Sequence, residues 1–230
     1  MRGGLLGGLY QVSEWVSRFA VINLLWLIFN LPIVFVIISM LFAEHTGEVF
    51  ILTIPLIVLS PFLFFPATAA MFASVRDWVI KKDYISLMKS FWNYYKENYK
   101  RSLLGGFILT GLWITWAVEY YYLSEVSVPL MFTFMIMGMV LFVYSINFFS
   151  MMAHYHLKLR TLLKKTFIIT IGSPVLFLTV LLGSSLIIYV SVNGPLFFIP
   201  FFTGSLAAFI SFSAFYRLYL KLAEKQVLQK

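Results

Sequence analysis

The sequence predicts an all-α, polytopic membrane protein with six transmembrane helices and both termini in the cytoplasm. Three observations lead there. The chain is 61% hydrophobic and only 11% charged, where about a quarter charged is usual for a soluble domain, so it lacks a polar coat for water. Its apolar residues collect in stretches able to cross roughly 30 Å of hydrocarbon, which takes about 20 helical residues. All seventeen Lys and Arg fall in four clusters, at 2–18, 76–101, 158–165 and 217–230, which alternate with turns carrying Glu44, Glu48 and Glu125 but no cation. That alternation is the positive-inside pattern and sets the orientation.

Residues 1–18 form an amphipathic lead-in: Leu5, Leu6, Leu9, Val12 and Val16 recur at roughly helical spacing, and Trp15 suits the headgroup region. Spans are expected near 19–43, 49–75, 102–123, 128–150, 167–190 and 194–216, in one membrane domain over 1–230. The first apolar stretch is longer than a signal-peptide core and is expected to remain in the mature protein. The second span carries Pro55, Pro61 and Pro66, each lacking an amide donor and crowding the turn before it, so a kink or local break is expected. Ala67, Thr68, Ala69, Ala70, Ala73 and Ser74 follow, small enough for close helix contact. The last span repeats this texture, with Pro200 before Thr203, Gly204, Ser205, Ala207 and Ala208. A cleft between these two helices is the natural place for a site, since broken helices can turn backbone groups toward a substrate.

The largest feature outside the spans is residues 76–101, predicted as an amphipathic cytoplasmic loop. It interleaves seven basic and three acidic residues with aromatics, and Leu87, Phe91, Tyr94 or Tyr95 and Asn98 recur at three- and four-residue steps. Its second half is therefore expected to be a helix with an aromatic stripe, capped by Asp83 and ending near Lys96, Lys100 and Arg101. Such a helix suits the membrane interface, with aromatics among the headgroups and amines reaching phosphates. It also suits a docking surface, for which Arg76, Trp78, Phe91, Trp92, Tyr95 and Lys100 are the candidate partner-binding residues.

Chemistry-bearing patterns are sparse. The chain has no Cys, no P-loop, no Gly-x-Ser-x-Gly elbow and no His-Glu metal signature, so no cofactor, metal site or enzymatic activity is expected. Asn23, Asn30 and Asn147 lie within predicted spans, where an amide needs an inward partner. They serve either as hydrogen-bonding glue between helices or as a polar cleft for a ligand. Glu119 lies beside Tyr120, Tyr121 and Tyr122 in an aromatic belt, and His154 and His156 lie beside Lys158 and Arg160 in a headgroup-facing basic patch. Net charge +8 follows from topology and from attraction to anionic membrane lipids rather than to nucleic acid.

The run Phe65-Pro66-Ala67-Thr68-Ala69-Ala70-Met71-Phe72, continuing through Arg76 and Trp78 to Asp83, resembles the signature of the YesL family of bacterial integral membrane proteins. Asn23, Trp26 and Pro32 before it, and Phe91, Asn98, Lys100 and Ser102 after it, extend the resemblance, and Tyr99 stands where a Phe is more usual. The resemblance implies a multi-pass protein of the bacterial cytoplasmic membrane, associated with carbohydrate utilisation alongside ABC sugar importers and sensor kinases. It implies no catalytic or ligand residues. Two functions are thus expected to compete: an accessory protein of a carbohydrate-uptake or sensing system, and a stand-alone transporter of a sugar or other small solute.

Overall fold

A computed structural model describes residues 5–82 and 86–228, with side chains at 5–7 and 226–228 left aside. Among them the secondary structure is entirely helical: α1 (Leu5–Phe29), α2 (Leu31–Leu41), α3 (Thr46–Leu59), a π-helical turn (Ser60–Phe64), α4 (Phe65–Val79), α5 (Leu87–Ser124), α6 (Val128–His154), α7 (Leu159–Gly172), α8 (Pro174–Asn193), α9 (Phe198–Phe201) and α10 (Thr203–Leu228). Six stretches are long and apolar enough to cross a membrane: 8–29, 46–79, 87–124, 128–154, 174–193 and 203–225.

The bundle is apolar outside and polar within. Among the described residues Phe35, Leu41, Phe42, Phe50, Val175 and Leu196 stand exposed, whereas Asn23, Asn30, Asp77, Asn98, Asn147 and ten Ser or Thr from Thr68 to Ser211 are buried. Hydrocarbon solvates the first set as well as a protein core would, and the second set needs internal partners.

The second span accommodates its prolines differently: Pro55 lies inside α3, and the span breaks locally into a π-helical turn at Ser60–Phe64. Pro61 falls in the π-helical turn and Pro66 in the first turn of α4, where the missing amide and bulky ring are accommodated. Beyond that turn the helix changes character. No residue of α3 is buried, yet every residue from Phe65 to Val75 is. Helix α4 is the hub, packed on α1, α5, α6 and α10.

Small residues let its neighbours approach. A Cβ at Gly106 would lie 2.8 Å from the Phe65 ring and 3.0 Å from the Pro61 backbone, and neither can retreat from so dense a contact. Gly106→Val is expected to cost about 1–3 kcal/mol by overpacking, read as a lowered unfolding midpoint in detergent against a lipid-facing control such as Gly111→Val, whose Cβ meets nothing within 4 Å.

Four boundaries differ from expectation. The first apolar stretch breaks at Asn30, because Pro32 cannot donate an amide; α1 therefore runs on from the lead-in, and α2 is a separate eleven-residue helix. The fifth stretch breaks between α7 and α8: Ser173 precedes Pro174, adopts an extended backbone (φ −126°, ψ 90°) and accepts the Leu176 amide at 3.4 Å, as a residue before proline prefers. The last long helix starts at Thr203 rather than 194, after a turn that contains α9. The helix expected within the cytoplasmic loop does not end near Arg101; it is the first part of α5, thirty-eight residues long. Lys96, Lys100 and Arg101 therefore lie in mid-helix. Asp83, the expected cap, lies outside the described residues, and Ser86 stands at the N-cap with no side-chain cap bond.

Candidate functional site

Three features bear on function: a chamber in the bundle, the polar cluster that joins α4, α5 and α6 on the basic side, and the exposed face at the start of α5.

The chamber has a volume of about 660 Å³ and is bordered by α1, α3, α4, α5, α6, α8 and α10. Its floor is buried, formed by Phe65, Met71, Phe72, Phe149 and Ala208, and its rim at Ile114, Ala117 and Ile188 is exposed. Both spans with proline and small residues contribute, α4 through Thr68 and α10 through Gly204 and Ala207. No ionisable group lines it. Its polar groups are largely committed to the protein: Trp26 Nε1 donates to Thr68 Oγ1 at 2.9 Å, Trp113 Nε1 donates to Ser145 Oγ at 3.1 Å, and the hydroxyls of Thr53, Ser60 and Ser145 donate to the carbonyls one turn earlier.

The polar cluster centres on Arg76 and Asp77, consecutive residues near the end of α4. Arg76 donates through Nε and Nη2 to Asp77 Oδ1 at 3.0 and 2.7 Å, and through Nη1 to the Ala153 carbonyl of α6 at 2.6 Å. The Tyr94 hydroxyl of α5 donates to Asp77 Oδ2. The pair is enclosed, with side chains 14% and 4% exposed, so these hydrogen bonds are what makes burial of two charges tolerable. One turn along α5, Arg101 donates to Asn98 Oδ1 at 2.8 Å and approaches His156 Nδ1 at 3.4 Å, itself 3.7 Å from Glu97. The cluster thus clamps the basic ends of three spans. Beside it burial, and then the neighbouring Tyr219, push the Tyr155 phenol above its ordinary pKa.

The candidate partner-binding residues separate into two groups. Trp78 and Phe91 are core, 5% and 0% exposed, and Arg76 is spent on the clamp. They present nothing to a partner. Trp92, Lys96 and Lys100 are exposed on α5 together with Lys89, Asn93 and Glu97. Trp92 stacks on Tyr95 at 5.8 Å, both rings pack on Phe29 of α1, and the Lys96 ammonium lies 5.5 Å from the Trp92 ring. Lys89 and Asn93, which the sequence did not single out, complete this face with Lys96 at three- and four-residue spacing.

The three asparagines do not form one cleft, and none borders the chamber. Asn23 Nδ2 donates to the Ile199 and Pro200 carbonyls at 3.1 and 2.8 Å, and its Oδ1 accepts the Ser205 amide at 3.0 Å. Asn30 donates to Trp26 O, and Asn147 to Thr170 Oγ1. Asn23 thus ties α1 to α9 and α10, Asn147 ties α6 to α7, and Asn30 closes the end of its own helix. The histidines part similarly: His156 is exposed near Arg101, whereas His154 packs among Tyr155, Phe215 and Tyr219. No three His, Asp or Glu converge as a metal site among the described residues.

Comparison with known proteins adds lineage. Residues 19–120 match the family described as "Protein of unknown function, DUF624". Over 224 residues the chain is 28% identical to "Uncharacterized protein YteU" of Bacillus subtilis (strain 168), covering 96% of this chain and 89% of that protein. It is 22% identical over 224 residues to "Uncharacterized protein YesL" of the same bacterium, covering 97% and 95% respectively. No solved structure matches. The matched segment holds the Trp26–Thr68 bond, the Arg76–Asp77–Tyr94 clamp and the Asn98–Ser102 contact. With six helices long and apolar enough to cross a membrane, the chain is a multi-pass protein consistent with the bacterial cytoplasmic membrane, similar along nearly its whole length to two uncharacterized Bacillus subtilis proteins and over residues 19–120 to the DUF624 family.

Proposed function

We propose that this protein is a non-enzymatic accessory component of a bacterial carbohydrate-uptake or sensing system, acting through the basic aromatic face at the start of α5 on an ABC sugar importer or a sensor kinase. One observation carries this reading. Trp92 is 47% exposed, packs on Tyr95 and Phe29, has the Lys96 ammonium 5.5 Å from its ring, and shares the start of α5 with the exposed Lys89 and Lys100. An exposed aromatic beside cations is the anatomy of a protein contact whose partner presents acidic groups. The carbohydrate context rests on the resemblance to the YesL family.

Transport of a sugar by this chain alone draws less support. Sugar hydroxyls need several donors and acceptors, and the chamber's hydrogen-bonding groups are mostly engaged already.

The test is photocrosslinking in native membranes with a photoreactive residue at Trp92 and, as control, at Tyr122 near the other end of α5, in cells grown on different polysaccharides. Crosslinks to an importer subunit or kinase from Trp92 and not from Tyr122 are expected. A Trp92 probe that captures lipid alone, with the protein folded and abundant, removes the reading and makes the face an interfacial anchor.

A further inference from the structure

The chamber is too large to be a packing flaw, since close-packed interiors hold few voids wider than a water molecule; about 660 Å³ is the size of a ligand pocket, roughly 300–1,000 Å³. Three properties identify what fills it. No ionisable residue lines it, and Trp26, Trp113, Ser60 and Ser145 direct their donor protons into the protein. A polar solute would lose its hydration there without replacement. The walls are aliphatic and aromatic, from Leu56, Ile57, Phe64, Phe142, Ile146 and Phe149. Finally, the rim lies at bilayer depth. Ile114 and Ala117 stand ten and seven residues before the end of α5 at Ser124, about 10–15 Å along the helix at 1.5 Å per residue, against a hydrocarbon half-thickness of about 15 Å.

We infer that the chamber is a binding site for a single long acyl chain, entering from the bilayer past Ile114, Ala117 and Ile188 and ending against Phe72 and Phe149. This site is separate from the α5 face and stands whether or not that face binds a protein. Trp26 and Trp113 act as positioning walls: their indole hydrogen bonds to Thr68 and Ser145 hold both rings in place around a flexible chain. Thr110 of α5 and Ala207 of α10 line it as well. The acyl chain belongs either to a phospholipid or to a free fatty acid, which share the tail and differ in the headgroup outside the rim.

The experiment places the full chain in nanodiscs with palmitate bearing a diazirine near its ω end, or with phosphatidylcholine bearing the same chain, followed by irradiation and peptide mapping. Labels are expected on Phe142, Phe149 and Trp113 at several-fold the level of Phe35, Phe50 and Val175, which are open to bulk lipid. Excess unlabelled palmitate should suppress only the chamber labels. Capture from phosphatidylcholine identifies a lipid tail, and capture from palmitate alone identifies a free fatty acid. Ala207→Trp should lower chamber labelling about tenfold and leave the outer labels unchanged; if that variant does not fold, the competition in the native chain decides. Labelling of the chamber no stronger than the outer surface, or chamber labels indifferent to competitor, overturns the inference. So does an oligosaccharide photoprobe that labels Phe142 or Trp113 and is displaced by free sugar.

Discussion

Arg76→Ala is expected to destabilise the protein by about 3–5 kcal/mol, the range for stranding one partner of a buried ion pair. The Asp77 carboxylate, 4% exposed, would keep only the Tyr94 hydroxyl, and the Ala153 carbonyl at the end of α6 would lose its donor. The sign of a companion change separates charge from packing. Arg76→Met with Asp77→Leu removes both charges together, so the double variant should be more stable than Arg76→Met alone, a coupling that a double-mutant cycle measures directly. Unfolding in detergent, followed by tryptophan fluorescence, supplies the numbers. Equal loss in single and double variants would mean that the Ala153 contact, rather than the ion pair, holds the clamp.

Asn23→Leu should be nearly as severe, about 2–4 kcal/mol. Leucine matches asparagine in heavy-atom number and branching but carries bulkier methyls, so the loss combines tighter packing with lost hydrogen bonds: the part-buried Ile199 and Pro200 carbonyls and the buried Ser205 amide lose their partner at once, a buried group costing about 1–3 kcal/mol when unsatisfied, with nearby hydroxyls recovering part. Asn23→Asp tests direction. It keeps the acceptor for the Ser205 amide and turns the donor into a carboxylate facing two carbonyls, so it should be no better than leucine. Limited proteolysis at 194–202 is the readout specific to this contact, because α9 is tied to α1 there.

Much of the architecture was legible because membrane insertion leaves coarse marks. Length, apolarity and the placement of cations gave six crossings and their sense. The breaks were written in smaller signs. Asn30 before Leu31-Pro32 and Gly172-Ser173-Pro174 are both helix punctuation, overlooked because hydropathy stays high across them. The docking residues show a deeper ambiguity. An aromatic at helical spacing near a membrane surface has the same pattern whether it faces headgroups, a partner or its own bundle. A longer view resolves Phe91: with Asn98, Ser102, Gly105 and Leu109 it makes a stripe at steps of three, four and seven, all buried in one unbroken helix. The stripe crosses residue 101, where the loop was expected to end. Nothing local reveals Asn23, whose partners lie 176 to 182 residues away.

That separation has a consequence for biosynthesis. A chain that enters the bilayer from its N-terminus commits Asn23 to hydrocarbon long before residues 199–205 have been made. Through most of translation its amide must borrow partners from water, from the insertion machinery or from provisional neighbours, and α1 cannot take its final seat. The last hairpin, on arriving, does more than add a sixth crossing: it supplies the carbonyls and amide that let the first crossing settle. A product terminated before residue 199 would carry five crossings and an unsatisfied polar group in its first, a mark by which membrane quality control can tell an unfinished molecule from a finished one.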